Sequence, residues 1–217
     1  MSENNYKRKE GFWFGLGKIP VLIIILGIAS LIFYSSVRYL NPDFENGYLS
    51  GNKFSYVSVF RIGLIVHLII APFLVFSSSL LLFFKLEKKS PRIHRAIGRL
   101  TVYSAFVFLI PSGLILSYYA IGGLVGQILF FSLTFLTLIT LARALFEARN
   151  RNFTLHRKWM IRFYILLTSA IWLRINMFVG SYFFQLSGVD FYLASAALSW
   201  IPQLIITELI FLRKKAA

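Results

Sequence analysis

The chain has 217 residues, a formal net charge of +15, and a composition that is 58% hydrophobic and only 14% charged. Soluble domains usually carry about 25% charged residues, so an ordinary soluble fold is excluded and a polytopic membrane protein is expected. The absence of cysteine excludes disulfides, thiolate metal sites and cysteine nucleophiles.

Residues 1–18 form a polar, basic segment in which Phe12, Trp13 and Phe14 suit a membrane edge. Crossing a hydrocarbon core of roughly 30 Å takes about 20 helical residues, and six windows are apolar and long enough. They are Ile19–Val37, Ile62–Phe84, Leu100–Ile121, Leu124–Leu141, Phe163–Phe184 and Phe191–Leu212. Runs such as VLIIILGIASLIF do not alternate, which excludes an outer-membrane barrel built from alternating segments of about ten residues. The first window begins too far in and lacks a small-residue cleavage site, so it reads as a retained helix rather than a signal peptide.

The outer loop RYLNPDFENGYLSGNKFSYVSVFR carries Asn-Pro-Asp and Asn-Gly turn signals and reads as an ordered cap. The links AIGG and QLSGVD are short, so residues 19–212 are expected to form one all-α, six-helix transmembrane bundle, followed by a basic tail at 213–217. Placing both termini in the cytoplasm puts 19 of the 23 basic residues on the inner side: those between Lys7 and Lys18, between Lys85 and Arg99, between Arg143 and Arg162, and between Arg213 and Lys215. Only Arg38, Lys53 and Arg61 then fall outside, with Arg174 inside a helix, as the positive-inside rule requires. The net charge is thereby assigned to membrane orientation, and no nucleic-acid partner is needed.

The chain has three histidines. His94, in SPRIHRAIGRLTVY, and His156, in FTLHRKWMIRFY, both precede membrane helices that rise from the cytoplasmic side. Each is followed by Arg, a second Arg and a Tyr, which reads as a weak parallel repeat of helical hairpins. Two neutral imidazoles at one depth could ligate a b-type haem from both sides, the one reading in which the chain holds a metal. Arg95, Arg99, Arg157 and Arg162 would then suit the propionates. The same basic collar suits an anionic lipid or other anionic ligand, and it also suits plain interfacial side chains. A carrier with two haems would need four axial ligands, and three histidines are too few. A catalytic zinc would need ligands that converge, whereas His67 lies toward the opposite face from His94 and His156. No HExxH, nucleophile elbow, Walker loop or paired carboxylates mark an enzyme.

His67, in GLIVHLIIAPF, and Arg174, in WLRI, lie some 8 to 15 Å deep in the outer half at ~1.5 Å per residue. A guanidinium reaching ~6 Å would not touch headgroups from there. An ionisable residue so placed is by default a functional or paired one, and Ser112, Asn176 and Gln127 could complete a polar pocket. Glu208 is the one acid inside a predicted window, with Arg162 or Arg99 as its expected partner in a structural ion pair.

His67, HRAIGRLTVY, LHRKWMIRFY and WLRI, in that order and at those helix starts, resemble the bacterial multi-pass membrane proteins of domain of unknown function 2306, over roughly residues 60–180. The resemblance implies a protein of the bacterial cytoplasmic (inner) membrane and leaves mechanism open. Three function classes remain: a module binding haem, quinone or an anionic lipid in the bilayer; a membrane oxidoreductase component with haem b at His94 and His156; and a small-solute transporter built on the repeat.

Overall fold

The computed structural model describes residues 57–216, together with Pro20, Ile23, Gly27, Ser30, Leu31 and Tyr34. Those six positions are helical and exposed. The remainder of the first predicted window, the segment 1–18 and the loop 38–56 lie outside the described residues.

Among the described residues the elements are α1 (Ser58–Phe83), the short α2 (Leu86–Lys89), α3 (Pro91–Ser104), a π-helical turn (Ala105–Leu109), α4 (Ile110–Tyr118), α5 (Gly123–Arg149), α6 (Phe153–Leu167), α7 (Ser169–Phe184), α8 (Val189–Leu198) and α9 (Ile201–Ala216). They make five apolar helical stretches long enough to cross a membrane: Ser58–Phe83, Pro91–Tyr118, Gly123–Arg149, Phe153–Phe184 and Val189–Phe211. The chain is thus an all-helical, multi-pass membrane protein.

Three of these stretches outrun the apolar windows at their basic ends. Helix α3 begins at Pro91 and α6 at Phe153, while α5 continues to Arg149. The apolar count stops where Lys and Arg begin, but a helix continues there because long basic side chains lay their stems along it and keep their charge in water. One expectation is corrected by this extension: Glu208 shares the spanning stretches with Asp190 at the start of α8 and with Glu147 of α5, which is 7% exposed.

Three stretches are interrupted near their middles. Pro111 has no N–H to offer the preceding turn, and just before it Ile110 N bonds Ala105 O in the i→i+5 pattern of a π turn. At Thr168 the hydroxyl bonds Ile165 O at 3.0 Å, and Ile171 N bonds Thr168 O at 2.9 Å, which separates α6 from α7. Ser199 and Trp200 separate α8 from α9 ahead of Pro202.

The central core joins Leu74 and Val75 of α1, Ala105 and Leu109 of the π turn, Leu141 of α5, Phe163 and Leu167 of α6, and Ile171 of α7. A smaller cluster around Phe60 and Leu64, with Leu68, Leu116 and Tyr119 against it, closes the end where α1 starts. Helices α5 and α6 pack closely along their length, α1 packs on both α3 and α6, and α3 and α6 barely meet each other. The turns 84–90 and 150–152 lie at one end of the bundle, and 119–122 and 185–188 at the other. Basic residues therefore gather at the first end.

Two backbone positions give a paired test. Arg151 has φ 59° where α5 ends, with Asn152 N bonded to Glu147 O at 2.9 Å, the position that glycine ordinarily fills. Arg151→Gly should raise stability by about 0.5–1 kcal/mol through relief of the left-handed strain. At Gly126 a Cβ would strike the backbone carbonyl of Ile121, so Gly126→Ala should lower stability by about 1–3 kcal/mol. Thermal melts of the two purified variants in detergent should move in opposite directions.

Candidate functional site

The two helix-start histidines occupy equivalent places, each the fourth residue of its helix. His156 Nδ1 lies 2.8 Å from the carbonyl of Ala144 on α5. A carbonyl only accepts, so Nδ1 carries the proton and the Nε2 lone pair is left for a ligand. His94 lies within electrostatic range of His156 and of Glu87, and its Nδ1 is buried with no hydrogen-bond partner among the described residues. One turn after His94, a Cβ on Gly98 would meet no atom within 4 Å, so there is open space beside the histidine.

The surrounding cations divide. Arg95, Arg99 and Arg157 are exposed, with Arg99 Nε donating to Arg95 O at 3.3 Å. Arg162 is engaged elsewhere: its Nη2 donates to Glu208 Oε2 at 2.7 Å and its Nε to Oε1 at 2.5 Å. Its guanidinium also lies 4.4 Å from the ring of Trp159 and 4.9 Å from that of Phe211. The fork satisfies both carboxylate oxygens and the rings cover its faces, so Arg162 belongs to the contact between α6 and α9. The Glu208 side chain is 43% exposed, which keeps this pair's worth near the modest figure for surface bridges, about 1 kcal/mol or less.

Sequence reasoning passed over a polar seam next to this end. Ser77, Ser78 and Ser79 of α1 are buried, and so are Thr101 of α3 and Tyr164 of α6. Thr101 Oγ1 lies 3.0 Å from Ser77 Oγ. Ser79 donates to Val75 O at 2.7 Å and therefore accepts from the Tyr164 hydroxyl at 2.8 Å. Through these bonds α1 bridges the two helices that carry the histidines. Glu147 was also passed over, although the signal was present: the buried positions Thr137, Thr140, Leu141, Ala144 and Glu147 keep one helical face past the end of the apolar window.

Toward the opposite end, His67 Nδ1 meets Ser112 Oγ at 3.2 Å. Arg174 lies within electrostatic range of His67. Its Nη1 donates to Ala170 O at 3.2 Å, one turn back toward the middle of the stretch Phe153–Phe184 and away from its nearer end, so the side chain does not snorkel outward. The structure thus brings His67, Ser112 and Arg174 together. Asn176 instead bonds Ser195 O at 3.2 Å and Gln127 bonds Tyr118 O at 2.7 Å, so neither joins them.

A family model described as Predicted membrane protein (DUF2306) matches residues 64–211. The match covers all three histidines and continues past the resembling motifs through the last spanning stretch, Glu208 included. No curated protein and no solved structure matches the chain.

The seam can be tested by itself. Tyr164→Phe and Ser79→Ala should each lower stability, with a coupling of about 0.6 kcal/mol between them, the scale of hydrogen bonds between membrane helices. A double-mutant cycle of detergent melts measures that coupling, and additive effects would show that the bond contributes nothing.

Proposed function

Because the chain belongs to the family described as Predicted membrane protein (DUF2306), we propose that this family member binds a b-type haem between His94 and His156 and serves as an electron-transfer component of the bacterial inner membrane. The observation that carries the reading is the bond from His156 Nδ1 to the Ala144 carbonyl. It fixes the ring and its tautomer by the backbone contact that metal-bound histidines usually make through the nitrogen not on the metal. The unpartnered Nδ1 of His94, the matching place of each histidine as the fourth residue of its helix and the open space beside Gly98 support the same assignment.

Arg95, Arg99 and Arg157 would be the residues to hold its propionates, while Arg162 stays with Glu208. His94 and His156 would hold the haem, and the chemistry it would supply there is one-electron exchange. The orientation assigned to the chain has six helices with both termini in the cytoplasm, and it puts this site on the inner side.

Protein purified after haem-supplemented expression should show a Soret band and a low-spin bis-imidazole spectrum. His94→Ala and His156→Ala should each abolish that spectrum. Gly98→Leu should also lose the haem by filling its space, yet it should melt no lower than the parent, because it replaces glycine in an open helical position. A colourless protein under haem-replete expression would overturn the assignment.

For orientation, a reporter fused after Lys215 should be active only if it works in the cytoplasm, and one inserted near Gly47 should behave as external. Opposite labelling would move both histidine sites to the other side.

A further inference from the structure

The stack at Arg162 extends to both sides. Arg143 of α5 lies 5.6 Å from the ring of Trp159, and Arg162 lies 4.4 Å from that ring and 4.9 Å from the ring of Phe211. Lys158 in turn lies 5.6 Å from Phe211. Contacts thus run from Arg143 through Trp159, Arg162 and Phe211 to Lys158, cation and ring alternating across α5, α6 and α9. Three cations meet one acid here. Glu208 gives both carboxylate oxygens to Arg162, and a ring face attracts a cation without offering it an oxygen. Among the described residues neither Arg143 nor Lys158 has a hydrogen bond or an ion pair, only these ring contacts and that of Arg143 with Phe146 at 5.9 Å. Glu147, one turn after Arg143, is buried and does not pair with it. Two positive charges are left uncompensated.

Their place in the fold says what meets them. Arg143 lies six residues before Arg149, where α5 ends, and Trp159 six residues after Phe153, where α6 starts. At ~1.5 Å per residue both are some 9 Å in from the turn that joins the helices. Arg143 is also two residues past Leu141, the last of its apolar window, so this level is the boundary between headgroups and hydrocarbon. Helices α5 and α9 both pack on α6 and scarcely on each other, which makes α6 the floor of a groove between them. The face is open: Ala142, Arg143 and Phe146 are exposed on α5, and Leu209 on α9 is 55% exposed. Further into the membrane the exposed residues Ile139, Phe135 and Phe131, four apart, continue one apolar stripe along α5.

A soluble anion would use the cations and leave the stripe idle, whereas a phospholipid uses both, its phosphate at the boundary and its acyl chains below. Arg143 and Lys158 also stand at opposite ends of the contact chain, with the satisfied Arg162 between them. They therefore offer two separate cationic points, and two uncompensated charges match two phosphates. We propose that the groove between α5 and α9 binds a phospholipid with two phosphates, one held by Arg143 and the other by Lys158, with acyl chains along the stripe from Ile139 to Phe131.

The test titrates the delipidated full chain, in a nonionic detergent, with tetraoleoyl cardiolipin, dioleoyl phosphatidylglycerol and dioleoyl phosphatidylcholine, and reads bound lipid by native mass spectrometry. Cardiolipin should bind about ten-fold more tightly than phosphatidylglycerol, which has the same glycerol phosphate chemistry with one phosphate, and phosphatidylcholine should bind more weakly than either. Arg143→Gln and Lys158→Gln should each weaken cardiolipin binding about five-fold. Arg92→Gln, which removes an exposed cation from the same end of the bundle but outside the groove, should leave it unchanged. Lys158→Gln carries the test if Arg143→Gln does not fold, because the one contact it removes is with Phe211. Equal affinity for cardiolipin and phosphatidylglycerol, or wild-type cardiolipin binding in the groove variants, would overturn the proposal. So would an equal loss in Arg92→Gln, which would reduce the effect to general surface charge, and so would inorganic pyrophosphate binding as tightly as cardiolipin. None of these residues is assigned to the haem, so the two assignments stand or fall separately.

Discussion

Hydrocarbon offers no hydrogen bonds, so every polar group that this chain carries into the membrane has to find its partner within the protein. The hydroxyls show how the requirement is met. Ser79, Thr101, Ser117, Thr137 and Thr207 each turn back to a carbonyl one turn earlier on their own helix, at 2.7 to 2.9 Å. A serine or threonine satisfied in this way costs little in lipid and specifies little. Side chains that reach across to another helix are fewer and carry more meaning. Tyr164 ties α6 to α1, Asn176 ties α7 to the carbonyl of Ser195 on α8, Arg162 ties α6 to α9, and His156 ties α6 to α5. These contacts position α6, and α6 positions one of the two helix-start histidines.

The same requirement is left unmet at a few places. Among the described residues the buried side-chain polar atoms without a partner are Ser78 Oγ, His94 Nδ1, Trp200 Nε1 and Gln203 Oε1. His94 belongs to the helix-start pair, and Ser78 lies in the seam beneath it. Trp200 and Gln203, a donor and an acceptor one turn apart, sit where Pro202 breaks the last stretch. Two of the four orphaned atoms thus lie toward the helix-start histidines and two at the break in the last stretch, while most buried hydroxyls are satisfied.

The legible part of the fold was the part written in hydropathy. Five of the six apolar windows reappear as spanning stretches, and the residues at the helix starts, His94 and His156, were visible because few polar side chains compete with them in so apolar a sequence. Helix ends were less legible, because the apolar count falls at the first arginine while the helix continues along the basic stems. That is how Glu147 escaped notice. Which polar residues meet was legible only in part. Depth alone pairs His67 with Arg174, and the pairing of Arg162 with Glu208 follows from opposite charge at one end of the bundle. Asn176 and Gln127 have suitable depths too, but their bonds run to α8 and to the carbonyl of Tyr118, because the azimuth of a side chain around its helix depends on tertiary packing that a single sequence does not print. The seam at Ser77, Ser78 and Ser79 was hidden for a related reason, since serines inside an apolar run look like filler until the helices on either side are known.

Azimuth also decides what the repeat between the two histidine segments means. Both begin alike, with the histidine fourth in its helix and an arginine directly after it. They then slip by one residue: the tyrosine follows His94 by nine positions and His156 by eight. One residue on a helix is a rotation of about 100°, enough to move a side chain from the core to the lipid. Tyr164 is accordingly 8% exposed and bonded to Ser79, whereas Tyr103 is 64% exposed. Arg162 and Arg99 are offset the other way, six and five positions after their histidines, and they too separate, the first stacked and paired with Glu208, the second exposed. A duplicated hairpin held only by packing would keep its resemblance along the buried faces and lose it at the ends. Here the equivalence is kept at the helix starts, where each histidine is fourth in its helix, and is lost along the faces. That pattern sets the helix-start positions of the histidines apart from the packing of the helices that follow them.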